Sequence, residues 1–250
     1  MENQDEKRLL IGSTVIPMML VAVMWVVKIV EVVFHLDFSF LGIKPISPEG
    51  IPGIILFHFI HGDWEHLFAN TIPILVLGSA LYYFYRPIAN KILLILMFTT
   101  GLLTWCGARS GVHIGASGLV YGLTFFLMPS GFIRKDKKLI IISLVVVFLY
   151  GSLVWGLYPK YAIENNISWE GHLSGFVMGI VLAIFYKNEG VQNGSGNENG
   201  NGNGNGNGDG NEYGDEDDED DIDPETQKPY WDVPVPDKDE LTVKSRNLRF

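Results

Sequence analysis

Long apolar runs decide what the first three quarters of this chain can fold into. Residues 9–27 are almost entirely apolar, and further runs of similar character recur as far as residue 187. A helix of about 20 apolar residues crosses the hydrocarbon core of a bilayer, where the backbone must satisfy its own hydrogen bonds. The sequence therefore excludes a soluble globular enzyme over this region and predicts an all-α membrane protein.

Six membrane-spanning helices, spans one to six, are predicted from these runs and from the turn residues between them. Their bounds are 9–34, 66–85, 89–105, 117–128, 139–157 and 170–186. The apolar stretch 54–60 lies in a long connection that is rich in Pro and Gly, and it is too short to span. We expect this stretch to lie in the membrane interface or to re-enter the protein.

Two charged residues interrupt the first span near its end. Lys28 and Glu31 are three residues apart and therefore share one face of the helix. We interpret them as an interfacial pair, or Lys28 as a lysine that extends its ammonium group to the headgroups.

Charge divides the chain into two parts. Residues 1–188 carry 13 Lys and Arg against 11 Asp and Glu, whereas residues 189–250 carry 5 against 17. Alternating Asn and Gly followed by an acidic run leave the second part little apolar surface to bury. We predict a transmembrane domain over 1–188 and a disordered tail over 189–250. Neither part offers the basic face that a nucleic-acid partner requires.

The basic residues near the membrane predict its orientation. If both termini are cytoplasmic, nine Lys and Arg lie on the inner side: Lys7, Arg8, Arg86, Lys91, Arg134, Lys135, Lys137, Lys138 and Lys187. Three then lie on the outer side: Lys44, Arg109 and Lys160. Inner loops normally carry the excess of positive charge. We therefore expect a multi-pass protein of the cell membrane with both termini in the cytoplasm.

Polar residues gather at one face of the membrane under this topology. Spans two, four and six enter from the outer side, and each begins with polar side chains. His66 and Asn70 lie one turn apart at the start of span two, Ser117 begins span four, and His172 lies near the start of span six. Intramembrane polar groups are costly and mark functional sites. Histidine is also the usual base that activates a serine hydroxyl.

Spans four and six can approach each other closely because small residues recur at every fourth position. They are Gly118 and Gly122 on span four, and Gly171, Gly175 and Gly179 on span six. A span over residues 117–128 would be roughly 18 Å long at 1.5 Å per residue, against a core about 30 Å thick. We therefore expect Ser117 and His172 to meet in a water-filled cavity beneath the outer headgroups.

Three short motifs open spans two, four and six. They are His61, His66 and Asn70; Gly115, Ala116, Ser117 and Gly118; and Gly171 with His172. In this order and spacing they resemble the rhomboid intramembrane serine proteases, over roughly residues 10–187. The resemblance implies a six-helix rhomboid-like bundle that cuts single-pass transmembrane proteins near the outer face of the bilayer. It implies no metal and no organic cofactor.

The resemblance also implies roles for the polar residues. Ser117 would be the nucleophile and His172 the general base, in a dyad without an acid. His66 and Asn70, with the backbone of Ser117, would form the oxyanion site.

Further family features concern neighbouring positions. Tyr121 falls where the family places a ring that stacks on the catalytic histidine, and Gly115 matches the first glycine of the serine motif. Many members carry a Trp–Arg pair in the long first loop, and residues 35–65 contain none.

Two other functions are compatible with parts of the sequence. A catalytically inactive rhomboid-like protein would bind membrane clients without cutting them, although such proteins typically lack the serine or the histidine. A membrane metalloprotease or metal transporter would use the histidines His58, His61, His66, His113 and His172. The HExxH motif is absent, and the spacing from His61 to His66 is one residue longer than in HxxEH.

Overall fold

A computed structural model gives the fold and describes residues 2–149, 156–164 and 167–189. The described residues form helices and connecting turns, and they contain no β-strand. The prediction of an all-α protein is confirmed for them. From residue 190 onward the predicted disordered tail lies outside the described residues.

The helices have the following bounds. They are α1 (Glu2–Phe34), α2 (Gly53–Leu56), α3 (Trp64–Phe84), α4 (Ala89–Gly107), α5 (Ser117–Arg134), α6 (Lys137–Leu149), α7 (Pro159–Glu164) and α8 (Trp169–Phe185). Residues 35–63 between α1 and α3 are here called the first loop. Besides α2, this loop contains single 3₁₀ turns at Ser39–Leu41, Pro48–Gly50 and Phe57–Phe59.

Three of the described helices are long and apolar enough to cross a membrane. They are Glu6–Phe34 within α1, Trp64–Phe84 and Ala89–Gly107, while α8 is a shorter apolar helix. This composition indicates an integral membrane protein. The total of six spans stays a prediction.

The helices that carry the predicted site residues begin at side-chain caps. The carboxylate of Asp63 accepts a hydrogen bond from the backbone N–H of His66 at 2.7 Å and starts α3. The hydroxyl of Ser168 accepts from the N–H of Gly171 at 3.3 Å and starts α8. Each cap satisfies a donor that the first turn leaves without an intrahelical partner. The two caps therefore determine the residues at which α3 and α8 begin.

Helix α5 is longer than the predicted span four. It continues past Met128 and through Pro129 to Arg134, because a membrane helix can tolerate a proline where neighbouring groups satisfy the freed carbonyl. The left-handed conformation of Lys135, with φ of 57°, ends the helix. The prediction of an end near Met128 is wrong, and the depth estimated from that length loses its support.

The region between α5 and α8 also differs from the prediction. The predicted spans leave no helix between residues 157 and 170, yet Pro159–Glu164 forms helix α7. Pro159 takes the first helical position, where a proline loses no intrahelical bond. The predicted span five is described as α6 up to Leu149, and its residues 150–155 lie outside the described residues.

Helices α5 and α8 pack with their backbones in contact. A Cβ atom added to Gly179 would lie 2.5 Å from the carbonyl oxygen of Gly122, and one added to Gly175 would overlap the carbonyl oxygen of Gly118. The predicted close approach of the two glycine stripes is confirmed. This contact brings the first turns of α5 and α8 side by side.

Lys28 and Glu31 are buried and face the first loop. The ammonium group of Lys28 donates to Glu31 at 3.3 Å and to the carbonyl oxygens of His61 and Gly62 at 3.0 and 2.9 Å. The other Glu31 oxygen accepts from the backbone N–H of Phe38 at 2.9 Å. The interpretation of Lys28 as a lysine extended to the headgroups is wrong, because loop carbonyls bind the ammonium group inside the protein.

Replacing Gly175 by Ala should destabilise the protein, whereas replacing Gly12 by Ala should not. The new methyl group would overlap the Gly118 carbonyl oxygen, but no atom lies within 4 Å of the same position at Gly12. We expect Gly175→Ala to lower the free energy of unfolding in detergent micelles by about 1–3 kcal/mol, the usual cost of overpacking. Equal unfolding midpoints for the two variants would contradict this packing.

Candidate active site

A serine and a histidine are hydrogen-bonded where α5 and α8 begin. The Oγ atom of Ser117 lies 2.7 Å from Nε2 of His172, and Nδ1 of His172 lies 2.9 Å from the carbonyl oxygen of Gly156. A carbonyl oxygen can only accept, so Nδ1 carries the ring proton and Nε2 presents its lone pair to the serine hydroxyl. The ring is therefore held in the tautomer that can take the serine proton.

Two neighbours fix the orientation of this ring. The Tyr121 ring stacks on His172 with centroids 4.3 Å apart and an angle of 15° between the planes. A Cβ atom on Gly156 would lie 2.5 Å from the Tyr121 hydroxyl oxygen and 2.8 Å from Nδ1 of His172. Sequence reasoning missed Gly156, because a single glycine before a polar stretch gives no sign of the distant ring that it faces.

Helix α3 brings His66 and Asn70 to the wall of a cavity that Ser117 and His172 also line. The buried amide of Asn70 donates to the carbonyl oxygen of His66 at 2.9 Å. An amide nitrogen carries two N–H groups, so this bond leaves one able to donate into the cavity.

Gly115 lets the chain pass close to His66. Its φ of +110° is one that side chains rarely adopt, and an added Cβ would lie 2.5 Å from Cε1 of His66. Both the backbone conformation and the contact therefore require glycine at the position two residues before Ser117.

The first loop holds the backbone that leads into Ser117. The N–H of Gly115 donates to the carbonyl oxygen of Phe57 at 2.9 Å, and the N–H of Ala116 donates to Nε2 of His61 at 3.4 Å. Burial, and to a smaller extent the nearby His66, lowers the pKa of His61 to about 3. The ring is therefore neutral at physiological pH and can act as an acceptor. The sequence motif contains His61, but its spacing does not predict this contact with Ala116.

A cavity of about 900 Å³ opens beside the dyad. Polar side chains from α3, from residues 109–113 and from the start of α8 line it together with apolar side chains such as Pro73 and Val120. Such a mixed wall can bind both the main chain and the side chains of a peptide.

The dyad is recessed from the nearest end of α4. A Cβ atom on Gly118 would lie 2.7 Å from Cγ2 of Thr100, and Thr100 precedes the end of α4 at Gly107 by seven residues. Seven residues correspond to about 10 Å of helical rise. Ser117 therefore lies well inside the bundle rather than at its rim.

Four of the histidines considered for a metal site bond other groups of the protein. The described residues contain no group of three or more His, Cys, Asp or Glu side chains that could hold a metal ion. His58 bonds the carbonyl oxygen of Met97 at 3.0 Å, and His113 bonds the hydroxyl of Ser168 at 2.7 Å.

Gly115→Ala should destabilise the protein more than Gly111→Ala, although both glycines have a positive φ. At Gly111, with φ of +143°, no atom lies within 4 Å of an added Cβ, whereas Gly115 faces His66. Backbone strain should cost either variant about 1–3 kcal/mol, and overpacking should cost Gly115→Ala a similar amount again. Thermal unfolding in detergent micelles measures the difference. Equal losses would show that His66 does not restrict this position.

The chain is similar to known proteins in sequence. Residues 49–189 match the Rhomboid domain. An uncharacterized protein of Mycobacterium tuberculosis is 37% identical over 196 residues, which cover 73% of this chain and 78% of that protein. An uncharacterized protein of Mycobacterium leprae is 30% identical over 191 residues, or 73% of this chain and 75% of that protein. RHOMBOID-like protein 4 of Arabidopsis thaliana is 29% identical over 131 residues, or 51% and 33% of the two chains. The domain match includes α3, α5 and α8 with their polar first turns, and the chain is an integral membrane protein that belongs to the rhomboid family.

Proposed function

We propose that this protein is an intramembrane serine endopeptidase. The observation that carries the proposal is the 2.7 Å hydrogen bond from Ser117 to Nε2 of His172. An adjacent base of this kind makes a serine hydroxyl nucleophilic at neutral pH. Membership of the rhomboid family supports the same function.

The reaction proceeds in two stages. Oγ of Ser117 attacks the carbonyl carbon of the scissile peptide bond while Nε2 of His172 takes the hydroxyl proton. The tetrahedral intermediate then collapses, the amine leaves with the proton from Nε2, and an ester on Ser117 remains. Water, deprotonated by Nε2, attacks the ester carbon. Oγ of Ser117 then leaves with the proton from Nε2, and the peptide is released as a carboxylic acid. The mechanism uses groups of this chain, the peptide and water, with neither a metal nor an organic cofactor.

We assign the oxyanion site to the first turn of α5 together with Asn70 and His66. The N–H groups of a first turn have no intrahelical acceptor and carry the positive end of the helix dipole. Asn70 and His66 line the cavity beside Ser117, where they can donate to the developing oxyanion. A fixed donor of this kind contributes about 10²–10³-fold to the rate.

The proposed substrates are single-pass transmembrane proteins, cut near the outer face of the bilayer. Ser117 lies about 10 Å inside the bundle, judged from the helical rise along α4. A nucleophile at this depth meets peptide segments that are themselves in the bilayer. A stable membrane helix keeps its carbonyl groups hydrogen-bonded, so we expect cleavage where the substrate helix unwinds easily.

We also propose six spans, the cell membrane and cytoplasmic termini. Aromatic residues at the opposite end of the bundle from Ser117 are covered by basic side chains. Arg134 lies 5.3 Å from the centroid of the Tyr85 ring, and Lys91 lies 5.0 Å from that of Tyr186. This basic end fits the cytoplasmic side. In this proposal residues 1–188 form the membrane domain, and the acidic residues 189–250 follow in the cytoplasm.

The single cysteine provides a test of this orientation. Cys106 is exposed near the end of α4, on the side of the bundle that carries the dyad. A membrane-impermeant maleimide added to intact spheroplasts should label Cys106. A Cys106→Ser, Lys138→Cys variant should be labelled only after the membrane is opened, and Cys106→Ser alone not at all. The opposite pattern would contradict the proposed topology.

Substitution of the dyad tests the catalytic proposal. Ser117→Ala removes the nucleophile and His172→Ala removes the base, so either variant should fail to cleave a panel of single-pass reporter proteins in proteoliposomes. Asn70→Ala should retain the reactive serine but turn over about 10²–10³-fold more slowly. Ser79→Ala, a half-buried serine of α3 that does not line the cavity, should cleave like the wild type.

A fluorophosphonate distinguishes the protease from an inactive member that only binds clients. The reagent phosphonylates an activated serine hydroxyl and releases fluoride, so it should label Ser117 in the wild type and leave the Ser117→Ala and His172→Ala proteins unlabelled. Matching unfolding midpoints would show that these variants keep the fold. Activity retained in either variant, or a wild type that binds the reporters but neither cuts them nor reacts, would overturn the proposal.

A further inference from the structure

A partly buried polar network joins the two segments that lead into the dyad. Residues 108–116, between α4 and α5, are here called the serine loop, and residues 167–170 are called the histidine cap. The serine loop leads directly into Ser117, and the histidine cap ends two residues before His172. A connection between these segments therefore acts directly on the distance between the two site residues.

An ion pair forms the first connection. Nη1 of Arg109 lies 2.9 Å from each carboxylate oxygen of Glu170, and the Arg109 backbone N–H donates to the same carboxylate at 3.3 Å. Nη2 of Arg109 donates to the carbonyl oxygen of Ile167 at 2.9 Å. The Glu170 side chain is 7% exposed and that of Arg109 is 37% exposed. Charge-assisted hydrogen bonds from several donors attract the two side chains and also fix their relative orientation.

A histidine forms the second connection. Nε2 of His113 lies 2.9 Å from the Arg109 carbonyl oxygen, and Nδ1 lies 2.7 Å from the hydroxyl of Ser168. Since the carbonyl can only accept, Nε2 carries the ring proton, and Nδ1 accepts a hydrogen bond from the Ser168 hydroxyl. The Ser168 oxygen in turn accepts from the N–H of Gly171 at 3.3 Å. The serine loop thus reaches the residue directly before His172.

The serine loop is itself held by the first loop. The N–H and the carbonyl oxygen of His113 pair with Ile43 in both directions, each at 2.9 Å. The network therefore connects the start of α8 to the first loop, which also holds the backbone before Ser117.

Four side chains make up this network, here called the clamp: Arg109, His113, Ser168 and Glu170. We propose that the clamp positions His172 relative to Ser117 and thereby sets the rate at which the serine reacts. The glycine contact sets the separation of α5 and α8. The clamp holds the end of α8 on which His172 lies. This inference rests on the proposed function, and the clamp residues are positioning residues that exchange no proton with the substrate.

Glu170 is the position at which this role can be separated from substrate binding. Arg109, His113 and Ser168 line the cavity, whereas Glu170 does not. Glu170→Gln keeps the shape of the side chain and the wall of the cavity, and it removes the charge that faces Arg109.

The experiment measures how fast a small fluorophosphonate reacts with Ser117 in the full-length protein in detergent. For Glu170→Gln we expect the same final labelled fraction as for the wild type, with a second-order rate constant about 10–100-fold lower, the effect of a small displacement of a catalytic group. Glu49→Gln is the matched control, because Glu49 pairs with Lys44 at 2.6 Å outside the cavity. Its rate constant should equal that of the wild type.

Two further comparisons test the connectivity. Arg109→Ala combined with Glu170→Gln should react no more slowly than Arg109→Ala alone, because partners in one network are not additive. Ser168→Thr keeps the hydroxyl and should react nearly as fast as the wild type, whereas Ser168→Ala should be slower. The Ser168 pair also decides the matter if Glu170→Gln does not fold.

The possible failures are distinguishable. An unlabelled wild-type Ser117 would remove the proposed function. A labelled wild type with an equal rate constant for Glu170→Gln would overturn the clamp and leave the proposed function in place. A smaller labelled fraction that reacts at the wild-type rate would indicate partial unfolding, and it would also overturn the positioning role.

Discussion

The direct contact between the backbones of α5 and α8 is the constraint on which the site depends. Lipid gives two membrane helices no hydrophobic reason to associate, so close packing must hold them together. Gly175 lies against the Gly118 carbonyl oxygen with no room for a side chain between them. Only at this separation can a short serine side chain on one helix come within 2.7 Å of a histidine ring on the other. The hydrogen bond between Ser117 and His172 therefore depends on glycines that have no side chain at the helix contact.

The loops solve a second problem, which is the cost of non-helical backbone inside a membrane protein. The N–H groups of Gly115 and Ala116 precede α5 and find acceptors in Phe57 and His61 of the first loop. The buried ammonium group of Lys28 in turn binds carbonyl oxygens at the end of that loop. Every polar group in such a region needs a partner, and the partners that satisfy these groups also fix their positions. The hydrogen bonds that satisfy the buried backbone groups therefore also position the residues of the site.

The sequence was informative where a feature of the fold depends on the length of an apolar run or on the spacing of residues along a helix. Apolar runs indicated the helices, and the four-residue recurrence of glycines indicated that α5 and α8 approach closely. It was uninformative where distant segments meet. Nothing in the sequence near Gly156 shows the ring that its carbonyl oxygen binds, and nothing near Arg109 points to Glu170. Pro129 was also misleading, because local rules end a helix there while the surrounding protein lets α5 continue to Arg134.

The same contacts explain how the histidine can be oriented without a carboxylate partner. The Gly156 carbonyl oxygen fixes the tautomer of His172 from 2.9 Å, and the Tyr121 ring fixes its plane. A carbonyl does this without bringing a net charge into a buried site, where an unpaired carboxylate would be costly. Glu170 lies two residues before His172, but its charge is paired with Arg109. The carboxylate nearest in sequence therefore acts on the position of the helix, and the proton on Nδ1 is held by a neutral group.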